Sequence, residues 1–509
     1  MKLRQFLSNK LIKKCLIITG LFLLIACLYI LSFIYGKPTI DTDYLAQLNQ
    51  INKPENYNPE DSAWPYYKKA FELFIKPNSI IVSQIIYSDS PKDFSDYNDV
   101  EQELIEEWIG QNQPAWKQFI EASKKPYCYI KAEIHETSEQ EIKDKDDPFK
   151  ESFKKINVPS MKIISKVNDL RSLLGFLAKW RLKVNVETGR TEQAFEDCFA
   201  FLNAAFQWQQ GKNLVDEIIG IHLHSKGNEG LLKTISENEL SLTQLEEIQD
   251  RLTNIYQTRH ITVDFDGEKL EFLDLVQHVF TKGGIGGGHI IPKYLPPLVQ
   301  MSSIIITMSK LDTEPSIKER FMFLAMSMLH TRRNKTIAMY NDIFEKITEI
   351  QNMTLYERKQ FNYMTNPNRP EILNYRIYFD SFTQQSKYFL INLYIPGMVR
   401  RTEFVPQKKT EYQATITILA LKRYFLENGE YPETLEELLN KGYITKLPMD
   451  PYSDKPLIYK KGVDDFILYS VGEDFKDDGG KPAKYSDGKV AKWGKAGNKT
   501  GDAVFWPVQ

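Results

Sequence analysis

The chain has 509 residues, with 65 Lys and Arg against 67 Asp and Glu, a formal net charge of -2. That balance excludes a protein that holds nucleic acid through a general basic surface, because backbone-driven affinity needs a surplus of cations. Hydrophobic residues at 42% and aromatics at 12% exclude global disorder. Four Cys exclude a disulfide-built scaffold, and two of them lie in an apolar run, which excludes a four-Cys zinc ribbon.

Residues 2 to 14 carry Lys2, Arg4, Lys10, Lys13 and Lys14 and no acid, and Cys15 to Tyr35 then run without a charge. As a helix that run is about 31 Å long, which matches the hydrocarbon core of a bilayer. Basic residues on its N-terminal side predict a cytoplasmic stub (1-14), a single membrane helix (15-35) in the inner, cytoplasmic membrane, and an extracytoplasmic bulk from there on. A cleaved signal would have a shorter apolar region and a small-x-small site, unlike Phe33-Ile34-Tyr35. A lipoprotein signal is the sharper rival, since Leu24-Ile25-Ala26-Cys27 looks like a lipobox, but the chain stays apolar from Cys27 to Tyr35.

Residues 36 to 405 read as an α-helical region. After an Asn-, Pro- and Asp-rich start, Asp61-Ser62-Ala63-Trp64-Pro65 reads as a capped helix start. Apolar residues then recur at helical spacing: Leu170, Leu173, Leu174, Leu177 and Trp180; Ala194, Phe195, Cys198, Phe201 and Leu202; Leu245, Ile248 and Leu252; Phe321, Leu324, Met328 and Met339. Each stripe predicts a face buried against another helix. Trp180 to Phe206, broken at Gly189, reads as a helix hairpin and resembles one tetratricopeptide-type unit, without a second copy at a fixed period. Catalytic signals are weak here. His222 and His224 point to different faces of a helix and read as surface residues. His135-Glu136 lacks a second His four residues on, and the Gly283 to Gly288 run lacks the Lys-Ser/Thr ending of a phosphate loop and reads as a flexible connection. Asp264-Phe265-Asp266 reads as a solvated helix start. Cys128 and Cys198 are left open as a disulfide pair or as free thiols.

From about residue 406 the local pattern changes. Tyr412, Ile416, Leu419, Ala420 and Tyr424 share a helix face, Asn428-Gly429 stops that helix, and Pro432 opens a short second one. Leu457 to Tyr459, Phe466 to Val471 and Ala503 to Trp506 read as three strands, giving a small α+β domain with a three-stranded antiparallel sheet. The stretch resembles the C-terminal part of the major pseudopilin of type II secretion systems. The residues that carry the likeness are ALKRYFLENGEYPETLEELL, LPMDPYSDKPLIY, LYSVGEDFKDDGG and GDAVFW, about a fifth of the chain. No Gly-Phe-Thr-Leu-Ile-Glu processing motif precedes Cys15, and the module is far from the membrane segment in sequence.

The resemblance implies calcium in the loop after the second strand. The residues suit that ion: Asp474, Asp477 and Asp478 cluster beside Gly479-Gly480, Asp502 returns after a Gly- and Lys-rich excursion, and Ser470 ends the strand. The whole is therefore expected to be mainly α, with a bilayer and envelope proteins as partners, no nucleic acid and no enzyme activity. It would bind or assemble, alongside a secretion or envelope apparatus on the strength of the resemblance. One alternative is an extracytoplasmic enzyme with its site among the middle helices, where Glu217 and Asp264 are candidates without distinctive spacing; another is a helical peptide- or polymer-binding scaffold.

Overall fold

The structure, a computed structural model, describes residues 10-77, 80-86, 93-131, 173-284, 287-301, 316-360, 381-485, 488-496 and 499-508. Leu170, His135, Glu136, Ile285 and Gly286 lie outside the described residues. The fold is mainly α-helical with a small three-stranded antiparallel sheet near the C-terminus, as the sequence predicts. Helix α1 (Lys10–Ile34) contains all but Tyr35 of the uncharged run; its Lys14–Ile34 part is long and apolar enough to cross a membrane, and most of its side chains are exposed.

Two apolar cores adjoin along a central helix. Helices α2 (Trp64–Leu73) and α3 (Gln113–Ser123) enclose the first with Lys179–Glu187 and one side of α4 (Thr191–Trp208). α2 begins after Ala63, which has no side chain to cap it; the expected cap at Asp61-Ser62 is replaced by a long contact from the Trp64 N–H to Ser62 Oγ at 3.4 Å. Phe201, Ala204 and Trp208 of α4 face the first core, while Phe195, Cys198, Leu202 and Phe206 face the second. An all-round apolar helix belongs inside, and the polar groups on α4 are matched accordingly. Asp197 accepts hydrogen bonds from Trp116 Nε1 at 2.7 Å, Arg181 Nε at 2.9 Å and Asn185 Nδ2 at 2.9 Å.

The second core adds α5 (Leu214–Glu237), α6 (Leu242–Thr258), α7 (Asp266–Val279), α8 (Ile317–Leu329), α9 (Arg333–Ile350) and α10 (Phe389–Asn428). Caps explain several starts: Asn213 accepts from the N–H groups of Val215 and Asp216, and Ser241-Gln244 and Ser316-Glu319 form capping boxes. α4 and α5 approach closely because α5 carries glycine at the contact. A Cβ on Gly227 would overlap Leu202 Cδ2 and lie 3.1 Å from the Cys198 carbonyl oxygen. Leu245, Ile248 and Leu252 are buried as predicted. The fourth predicted stripe is corrected: Phe323 and Met326 face the core, whereas Phe321 is 68% exposed. His224 is also corrected, being fully buried, while His222 is exposed.

α10 runs unbroken through residue 405, where the sequence suggests a domain boundary, and the second core continues from Phe195 to Trp506. Gly429, at φ 77°, ends α10, and the short helix α11 (Leu435–Asn440) follows a Thr434-Glu437 capping box. β1 (Met449–Asp450) pairs with β2 (Lys455–Pro456). The main sheet has the order β3 (Ile458–Lys461), β4 (Phe466–Ser470), then β7 (Ala503–Trp506), all antiparallel, with Ile458 opposite Tyr469 and Ser470 opposite Ala503. A β-bulge between Leu468 and Tyr469 shifts the second register. β5 (Lys495–Ala496) and β6 (Lys499–Thr500) form a separate ribbon.

The exit of α1 is seated on this body. Phe33 is fully buried and stacks on His289 with centroids 3.8 Å apart. Pro38 bridges to Thr281, and a Cβ on Gly36 would sit 2.6 Å from Thr281 Cγ2. The glycine-rich connection is flanked by a Phe280–Ile290 bridge, and Gly288 takes φ 106°.

Gly227→Ala is expected to lower the melting temperature by several degrees, an overpacking cost of about 1–3 kcal/mol. Gly110→Ala, on an exposed helix face with open space around it, should raise stability by roughly 0.5–1 kcal/mol. Equal melting curves for the two variants would contradict the close α4–α5 packing.

Candidate functional site

The C-terminal loop holds its acids with backbone donors. Asp502 is fully buried; its Oδ1 accepts from the Asp478 N–H at 3.1 Å, and its Oδ2 from those of Gly480 at 2.6 Å and Lys481 at 3.2 Å. Burial pushes its pKa up and these three donors oppose that rise. Asp477 Oδ1 accepts from the Gly479 N–H at 2.8 Å and the Tyr469 hydroxyl at 2.9 Å, and it titrates low, the Gly479 N–H being the main cause. Asp474 Oδ1 accepts from the Lys476 N–H at 3.0 Å, while the Asp478 side chain is exposed. Ser470 serves Asp450 instead: its hydroxyl donates to Asp450 Oδ1 at 2.7 Å, and Asp450 Oδ2 accepts from the Val471 N–H at 3.0 Å. Asp450, buried in LPMDP, thus ties that turn to the end of β4. No group of three or more His, Cys, Asp or Glu that could hold a metal ion is found among the described residues.

An ionic network centred on the buried Lys408–Glu411 pair and reaching out to the exposed Lys492 and Glu229 joins the helices to the module. On α10, Lys408 Nζ donates to Glu411 Oε1 at 2.7 Å and to Ser225 Oγ of α5 at 2.7 Å. From the module, Trp493 Nε1 reaches Glu411 Oε1 at 3.1 Å, and Lys492 Nζ lies 3.2 Å from Glu411 Oε2 and 3.1 Å from Glu229 Oε1. Burial pulls the Lys408 pKa down to about 8 against the pull of Glu411. Glu411 is held low despite its burial, because Lys408 and Lys492 favour its charge. Beside it, His224 joins the Tyr412 hydroxyl at 2.9 Å and Gln209 Oε1 at 2.8 Å, and burial takes its pKa down to about 3, so the ring is neutral. Spacing alone hides these partners; the legible signal is Lys408 and Glu411 three apart beside the apolar Val405 and Tyr412.

A cluster of carboxyl groups lies where α5 and α7 begin. Glu217 and Glu268 are buried first-turn acids. Glu268 Oε2 accepts from the Leu214 N–H at 2.8 Å, and Glu217 Oε1 from the Asp264 N–H at 3.4 Å, so each helps cap the other's helix region. Asp264 pairs with Lys212 at 3.1 Å and accepts from the Asp266 N–H, as a helix start should. Glu271 and Asp274 follow on α7. Burial pushes Asp216 up to about 7 and raises Glu217, Glu268 and Glu271; for Glu271 the neighbouring Glu268, Asp216 and Asp274 add to the rise. Glu217 and Asp264, the two acids the sequence offers for an enzyme, are thus brought together as helix-start partners. Asp216 also lines a cleft with Cys128, Tyr129, Gln207 and Asn213, with room, at about 20 Å³, for one water. Cys128 and Cys198 are free thiols whose pKa values burial raises.

With that geometry in hand, comparison of the chain with protein-family models, with curated proteins and with solved structures found no match.

The carboxyl cluster sets a pH dependence. Its acids bind protons more tightly folded than unfolded, so their contribution is fully present below the ordinary carboxyl range and is lost as pH rises through the folded values, about 7 for Asp216. The melting temperature should therefore fall between pH 5 and pH 8 by several degrees, and Glu271→Gln should flatten the slope. For the loop, the backbone donors already satisfying Asp502 predict that millimolar calcium shifts the melting temperature by less than about a degree; a rise of several degrees would show that the loop rearranges around the ion.

Proposed function

We propose that this chain is a membrane-anchored extracytoplasmic binding or assembly protein, with its N-terminus in the cytoplasm and its bulk outside the inner membrane. The pseudopilin-like C-terminal module is the element it holds out to envelope partners. One observation carries the proposal: an unbroken structural path leads from the apolar N-terminal helix to that module. Arg332 donates to the Tyr29 hydroxyl at 2.7 Å, the neighbouring Thr331 N–H bonds to the Lys387 carbonyl at 2.9 Å, and α10 starts two residues later. α10 then runs on to the module, which packs along its second half from Gln407 to Lys422.

Support also comes from the way the module is fixed. Its inner surface is spent on α10 and on the Glu411 network, which leaves the β3–β4 hairpin tip as the projecting part; Val463 there is 95% exposed. A rigid arm that ends in an exposed tip suits recognition. Among the described residues, the cleft beside Asp216 has room for one water and lends an enzyme reading no support.

A photoreactive residue at Val463 of the full chain should form adducts in intact membranes with an envelope protein or with a second copy of the chain. Val463→Cys should be modified by a membrane-impermeant maleimide in spheroplasts. Modification only after lysis would overturn the orientation, and an absence of adducts would overturn the assembly role.

A further inference from the structure

We propose that α8 is a second membrane-contacting element, lying along the outer bilayer surface beside α1 with its apolar stripe in the lipid. This rests on the anchor reading above. The stripe is Ile317, 76% exposed, and Phe321, 68% exposed, continued by Ala325 and Leu329 at four-residue spacing. The opposite side is fixed: Phe323 and Met326 enter the second core, and the Ser327 hydroxyl donates to the Ile290 carbonyl oxygen. The helix therefore cannot roll its apolar face inward. Stripes of this size rimmed by charge mark surfaces that meet a partner or a membrane.

Position decides which. α1 packs directly against α8, and the residues just past the end of α8 grip the last turns of α1. Arg332 binds Tyr29 and lies 5.4 Å from the Phe33 ring, itself stacked on His289. Counted from Cys15, Tyr29 and Phe33 lie about 21 to 27 Å along the uncharged helix, close to the far edge of a hydrocarbon core about 30 Å thick. Whatever touches those two rings sits at the boundary between acyl chains and headgroups. That is the level at which an amphipathic helix lies in the plane of a bilayer.

The charges fit the same place. Lys293, Lys318 and Lys335 are exposed around the stripe and Arg332 is half-buried, a set suited to lipid phosphates. The acids nearby are engaged: Glu319 accepts from the Ser316 N–H at 2.7 Å, and Asp41 pairs with Lys282. Tyr29 and Arg332 together make the amphipathic contact that membrane boundaries favour.

The test uses the full chain, with Cys15 and Cys27 replaced by Ala, in vesicles of phosphatidylcholine and phosphatidylglycerol. Nitroxide labels are placed at Ile317→Cys and Phe321→Cys, with Leu21→Cys as the lipid reference and Val463→Cys as the water reference. Collision rates with oxygen and with a water-soluble nickel chelate report depth. The expected result is an oxygen-to-nickel ratio at 317 and 321 several-fold above that at 463 and close to that at 21. A water-like ratio at 321 would overturn the proposal, and so would a label immobilised and shielded from both reagents, which would assign the stripe to a protein partner or a second copy. A water-like ratio at 21 would overturn the anchor itself, and with it this inference.

Discussion

One continuous helix constrains everything else. α10 continues through 40 residues even though Pro396 and Pro406 lie inside it and donate no backbone hydrogen bond. Arg358 supplies a donor to the Thr402 carbonyl that Pro406 leaves open, so the link between the helical body and the C-terminal sheet is helical and not a flexible linker. Its two halves have different neighbours. Leu390, Ile391 and Met398 lie in the first half; in the second, Tyr412 still packs on Phe206, His224 and Tyr256 of the helical body while Lys422 lies over the Phe466 and Trp506 rings of the sheet, yet the apolar residues all belong to one core. Dividing the protein at residue 405 would cut through packed side chains.

Two buried groups of acids show two solutions to one electrostatic problem. A charge taken from water needs a partner or must give up its charge. Glu411 keeps its charge, because Lys408, Lys492 and Trp493 converge on it from two separate stretches of chain. The carboxyl groups near the starts of α5 and α7 take the other course, crowding like charges until burial favours the protonated form. The first arrangement specifies how module and body fit together. The second makes the body responsive to proton concentration.

Much of the fold was legible in the sequence because it is written in local patterns. The uncharged run, the Asn428-Gly429 stop, the three strand runs and the buried stripes of α4 and α6 each follow from spacing within one segment. The errors arose where the answer depends on distant residues. Phe321 lies on a real apolar stripe, but periodicity says that a face is apolar and not what covers it. His224 looked like a surface residue because Tyr412 and Gln209, which bury it, are remote in sequence. The acids around Asp474 were found by clustering, whereas the donors that satisfy Asp502 are backbone N–H groups, which no side-chain pattern reveals.

The seat beneath Gly36 has a mechanical meaning. With Phe33 sandwiched on an imidazole and no space for a side chain at the next contact with Thr281, the junction has no swivel. A leash would let the large domain tumble freely above its tether. Here rotation of the long apolar N-terminal helix about its own axis must turn the whole body with it, so torque applied at either end is delivered to the other.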